Sequence, residues 1–119
     1  MYSGRLLEHF QNPRNVGELP PPAVALEVTN PACGDVLRLS VLFEGGIVAG
    51  VRYKVRGCTA SIAAGSALTE WLVGKSRLEL VQFQPGLIEE ALGGLAAESK
   101  HAGVLCGDAV KAVLKRFTA

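Results

Sequence analysis

Apolar and polar residues alternate through the first half of this chain and fall at helical spacing through the second. Residues 3–11 predict a short helix. Ser3 can cap its start, and Leu6, Leu7 and Phe10 form its apolar stripe. Asn12-Pro13 ends it, because a proline disfavours helical geometry in the residue before it. A loop with three consecutive prolines, 15–22, then leads into three predicted strands. The first spans residues 23–29. The second, 36–44, places Leu37, Leu39, Val41 and Phe43 on one face and Arg38, Ser40 and Glu44 on the other, with Leu42 out of phase. Gly45-Gly46 signals a hairpin into the third, 47–56, where Val51, Tyr53 and Val55 oppose Arg52, Lys54 and Arg56.

Beyond residue 58 the pattern is helical. An alanine-rich helix is expected over 59–73, stopped by Gly74. Shorter helices follow over 76–83 and 85–92, the second ending at Gly93-Gly94, and a last helix covers 100–117. Strands first and helices after them predict one α+β domain over residues 1–119, a three-stranded antiparallel sheet with helices packed on one face.

Composition agrees with a folded domain: 49% of the 119 residues are apolar and 19% charged. A formal net charge of +1 gives no electrostatic case for nucleic acid or an acidic membrane. No apolar run approaches the ~20 residues of a membrane span, and residues 1–10 mix Arg5, Glu8 and His9 into any signal-like stretch. A cytoplasmic location is expected. No phosphate-binding lysine loop, dinucleotide-binding glycine pattern or Gly-x-Ser-x-Gly elbow is present.

The three cysteines, Cys33, Cys58 and Cys106, are odd in number and far apart, which argues against a disulfide framework. Cys33 lies in the turn Pro31-Ala32-Cys33-Gly34-Asp35, where Asp35 adds a carboxylate two residues on. Cys58 lies between the third strand and the alanine-rich helix, where unpaired N–H groups and the positive dipole end favour a thiolate, the form that binds metal. His101 opens the last helix and offers an imidazole nitrogen for zinc or iron. Each of these residues has an ordinary structural reading too, since free cysteine is often buried and a single histidine is often a surface residue. Cys106 sits on the stripe Ala102, Cys106, Ala109, Val113, Phe117, roughly 140° around the helix from His101, and reads as a buried thiol. Ser61 and Ser66 read as capping and helix-packing residues, Trp71 as core, and His9 as ordinary surface or interface. Arg52, Lys54 and Arg56 read as a solvated sheet face, with a partner-docking surface as the alternative.

At these residues the chain resembles the U-type iron–sulfur scaffold family, that of IscU and the N-terminal domain of NifU. The similarity runs in order through Asn12-Pro13-Arg14-Asn15-Val16-Gly17, the Cys33 and Cys58 loops, Leu68-Thr69-Glu70-Trp71 and Asp108-Ala109-Val110-Lys111-Ala112. The resemblance implies an α+β scaffold without catalytic turnover of its own. Such a protein would take sulfur from a cysteine desulfurase, hold iron and a transient [2Fe–2S] cluster, and pass it to acceptor apoproteins. The resemblance also allows zinc in the isolated protein. The family's ligands map onto Cys33, Asp35, Cys58 and His101. Soft thiolates suit iron and zinc, while a carboxylate or imidazole makes a cluster more labile than four thiolates would. Two departures stand out. Ala102 occupies the place of the family's third cysteine, directly after the histidine. Leu95-Ala96-Ala97-Glu98-Ser99 replaces the Leu-Pro-Pro-Val-Lys chaperone motif, so a dedicated chaperone is not expected as a partner. The competing reading is a zinc-binding or regulatory module of the same fold that has lost cluster assembly through Ala102.

Overall fold

The computed structural model describes residues 2–31 and 34–117. Its elements are α1 (Gly4–Gln11), β1 (Val24–Thr29), β2 (Val36–Glu44), β3 (Ile47–Arg56), α2 (Thr59–Leu72), α3 (Arg77–Val81), α4 (Pro85–Ala91) and α5 (His101–Arg116), with a 3₁₀ turn at Ala97–Ser99 before α5. The predicted α+β architecture is the one observed. Ser3 caps α1, its side chain accepting from the Leu6 N–H. Ser76 and Glu79 form a reciprocal capping box that starts α3, one residue later than the pattern suggested. The 3₁₀ turn has no periodic signature in the sequence.

The sheet is antiparallel with strand order β1-β2-β3, and its register puts whole apolar rows on one face. Val28 pairs with Leu37 and that residue with Val55; Leu26 with Leu39 and Tyr53; Val24 with Val41 and Val51. A register shift between Leu42 and Phe43 accommodates one extra residue, Ala49, in β3. The bulge changes the phase of β3, so that Val48, even-numbered, is as buried as Val51 and Tyr53. Strict alternation would put Val48 in phase with Arg52 and Lys54; the extra residue reverses that. The hairpin itself turns at Gly45 and Gly46, both at positive φ, as its handedness requires.

Helices α2 and α5 cover the apolar face. Helix α2 packs on β3, α5 packs on α2 and β1, and α1 lies against α2. The core contains Leu37, Leu39, Val41, Leu68, Leu72, Leu105 and Val113, all at most 1% exposed. The opposite face is less open than alternation implies. Leu19 and Glu18 lie on it, with Leu19 Cδ1 3.6 Å from the position a Cβ would take on Gly50 and Glu18 paired with Arg38 at 2.9 Å. Ser40, on that face, is buried. Arg52 is half-buried and donates to Asn15 Oδ1 and Val51 O, which leaves Lys54 and Arg56 as the exposed members of the basic stripe.

His9, expected as ordinary surface or interface, is half-buried against α2. Its Nδ1 lies 2.8 Å from Ser66 Oγ and its Nε2 3.6 Å from Glu70, and the Arg14 N–H donates to the same Ser66 hydroxyl. These contacts fasten α1 and the Asn12–Gly17 loop to α2. Burial, with the nearby Arg14 guanidinium, lowers the His9 pKa. Trp71 is half-buried at the rim of the core, edge-on to Phe83 at 5.0 Å with Lys75 Nζ 5.1 Å above its ring. Among the described residues no helix is long and apolar enough to cross a membrane.

Candidate metal centre

Three chain segments meet where β3 runs into α2. Asp35 closes the β1–β2 turn: the Asn30 N–H donates to Asp35 O at 2.8 Å and the Gly34 N–H to Asn30 O at 2.7 Å. This places the Asp35 carboxyl over the start of α2. Cys58 is the N-cap of α2 but makes no side-chain capping bond. Asp35 serves that end of the helix instead, drawing a hydrogen bond from the Cys58 backbone N–H. His101 comes from the first position of α5. The 3₁₀ turn before it presents Glu98 O to His101 Nδ1 at 3.1 Å, which leaves Nε2 turned toward Cys58 and Asp35.

The distances are short and mutual. Cys58 Sγ lies 3.4 Å from each of Asp35 Oδ2, Ser61 Oγ and His101 Nε2. His101 Nε2 is 3.3 Å from Asp35 Oδ2, and the Ser61 hydroxyl donates to that same oxygen at 2.5 Å. Gly57 is what lets the carboxyl come so close. A Cβ there would stand 2.6 Å from Asp35 Cγ, inside the contact limit. Burial pushes the Asp35 pKa up, but hydrogen bonds from the Ser61 hydroxyl, the Cys58 thiol and the Cys58 N–H outweigh it. With His101 nearby, the carboxyl is held below its usual range and stays ionised.

Among the described residues, Asp35, Cys58 and His101 form a group whose ligand atoms all lie within 4.8 Å of one another. One carboxylate oxygen, one thiol sulfur and one imidazole nitrogen suit zinc or iron. The structure thus brings together three of the residues singled out in the sequence. The fourth, Cys33, lies outside the described residues. Ser61 is the member that sequence reasoning missed. Its sequence position suggests a cap, whereas Cys58 occupies the cap and Ser61 stands at the third helical position, bonded to Asp35. The signal available was its spacing: three residues after Cys58, hence on the same side of the helix.

Cys106 stands apart. It is 1% exposed, and its thiol donates to Ala64 O in α2 at 3.6 Å. Burial pushes its pKa up to about 12. In the folded protein Cys106 is therefore expected to resist alkylation at pH 8 until denaturant is added; labelling followed by peptide mapping reads this directly. Ala102, one turn earlier, is fully buried on the same side of α5.

This chain is similar along most of its length to proteins of one kind. The iron–sulfur cluster assembly scaffold protein IscU of Azotobacter vinelandii is 38% identical over 98% of this chain and 93% of its own. IscU 1 of Archaeoglobus fulgidus is 35% identical over 93% of this chain and 72% of its own. Among solved structures, the SUF-system scaffold of Fervidobacterium islandicum superposes with a TM-score of 0.76, covering 95% of this chain and 96% of that one, at 21% identity that speaks to fold alone. The NifU-like N terminal domain matches residues 1–119 from end to end, and the chain belongs to that family.

Proposed function

We propose that this protein is a scaffold for iron–sulfur cluster assembly, holding iron and a transient [2Fe–2S] cluster through Cys33, Asp35, Cys58 and His101. The convergence of Asp35, Cys58 and His101 within 4.8 Å is the observation that carries the reading. Its relatives' names point the same way. In this role the protein takes sulfur from a cysteine desulfurase, receives iron, and releases the cluster to acceptor apoproteins without catalytic turnover of its own. The mixed ligand set fits a carrier. Thiolates hold iron firmly, whereas a carboxylate and an imidazole exchange more readily, so the cargo can leave.

The chain's own groups prepare the site. Asp35 is ionised, and His101 Nδ1 lies 3.1 Å from Glu98 O, which turns Nε2 toward Cys58 and Asp35. Cys58 must shed its proton as metal binds, so uptake releases protons. Anaerobic addition of iron and sulfide is expected to produce thiolate- and sulfide-to-iron charge-transfer absorbance with matching iron and sulfide content. Colourless protein with no bound iron would overturn the scaffold reading.

Ala102 favours a second reading, a zinc-binding or regulatory module. It is fully buried and brings no thiol where relatives of the resembled type carry one. Tight zinc with no cluster under the same conditions would select this alternative.

A further inference from the structure

We propose that Ser61 is the positioning residue of this centre, its hydroxyl holding the Asp35 carboxylate in the orientation from which it meets a metal ion shared with Cys58 and His101. The inference rests on the metal-binding reading of those residues. Ser61 is 1% exposed, and its O–H donates to Asp35 Oδ2 at 2.5 Å, a length typical of a hydroxyl on an ionised carboxylate. It sits one turn into α2 (Thr59–Leu72) from Cys58, so one rigid helix carries both the thiol and the group that aims the carboxylate.

Three side chains crowd the same oxygen. Asp35 Oδ2 is 2.5 Å from Ser61 Oγ, 3.3 Å from His101 Nε2 and 3.4 Å from Cys58 Sγ. Two of these contacts cannot outlast metal binding. A metal-bound thiolate has no S–H to donate, and an imidazole nitrogen that ligates has no proton on that atom. The Ser61 O–H and the Cys58 backbone N–H remain. Among the described residues, Ser61 is then the one side chain of this cluster that still orients Asp35 when metal is present. Outer hydrogen bonds of this kind typically carry ~10–100-fold in metal affinity.

Cobalt(II), whose thiolate charge-transfer and visible d–d bands report its ligands, is the probe. The full chain is titrated anaerobically with Co²⁺ as wild type, Ser61→Ala, Asp35→Ala and the double variant. Thermal melting of the apoproteins confirms that each is folded. Ser61→Ala is expected to weaken Co²⁺ binding by ~10–100-fold and to alter the d–d bands. The double variant is expected to bind no more weakly than Asp35→Ala, because Ser61 acts through that carboxylate. Wild-type affinity and spectrum in Ser61→Ala would overturn the proposal, and so would losses that simply add in the double variant. If Asp35→Ala loses Co²⁺ while Ser61→Ala does not, only the role of Ser61 falls. If wild type shows no thiolate-to-cobalt band, the metal centre and this proposal fall together.

Discussion

Cys58→Ala is expected to abolish stoichiometric binding of iron or zinc, while Cys106→Ala leaves the stoichiometry unchanged. The two thiols differ in everything that matters to a metal. Cys58 is partly exposed at the start of α2, with Asp35 Oδ2 and His101 Nε2 each 3.4 Å from its sulfur. Its removal takes the charged soft ligand from the Asp35–Cys58–His101 group. It does not take a helix cap with it, because the Cys58 side chain makes no capping bond. Cys106 is buried in the core, pairs with Ala64 O, and has a pKa pushed up to about 12 by burial. A metal could reach it only by unwinding α5. Its alanine variant should lose on the order of 1 kcal/mol of stability through lost packing. Metal analysis of each purified variant, with thermal melting alongside, checks both halves. Equal loss of metal in the two variants would mean that α5 rearranges around the ion and makes Cys106 a ligand.

Gly65→Ala is expected to destabilise the protein by about 2–3 kcal/mol, against the ordinary sense of a glycine-to-alanine change in a helix. In an exposed helix interior the substitution would stabilise by up to ~1 kcal/mol, since alanine loses less backbone entropy on folding. At residue 65 a new Cβ would stand 2.4 Å from Tyr53 Cε2 and 2.6 Å from Cδ2. The ring cannot retreat easily. Tyr53 is 2% exposed and its hydroxyl donates to Ile62 O at 2.8 Å. The clash must push α2 away from β3 or break that hydrogen bond. Because α2 also carries Cys58, metal affinity should fall together with stability. Urea melts of Gly65→Ala, with and without Tyr53→Leu, test the cause. Shrinking the ring should remove most of the penalty, and an undiminished penalty in the pair would show that Tyr53 is not its source.

The strand phases, the two glycine-bounded helix ends and the apolar stripe of α5 were legible in the sequence because each depends on spacing within one element. Leu37, Leu39 and Val41 face the core as alternation requires, and Cys106 is buried as its stripe requires. Candidate ligands were legible for a related reason: Asp35, Cys58 and His101 stand at element ends, where a side chain can leave the core. Their meeting was not legible from spacing. Asp35 and Cys58 are separated by 23 positions and Cys58 and His101 by 43, and only the packing of α5 on α2 and the register of β1, β2 and β3 bring them within 3.4 Å. Tertiary structure also decided what local patterns left open. One extra residue, Ala49, shifts the phase of β3 and buries Val48; Leu19 comes over Gly50; and Ser66 fastens His9 to α2. Ser61 shows the division most clearly. Its place on the Cys58 side of α2 is written in a three-residue spacing, but its role depends on a carboxylate 26 positions earlier in the chain. Periodicity records which way a side chain points; the partner that it meets depends on how separate elements pack, and no local spacing carries that.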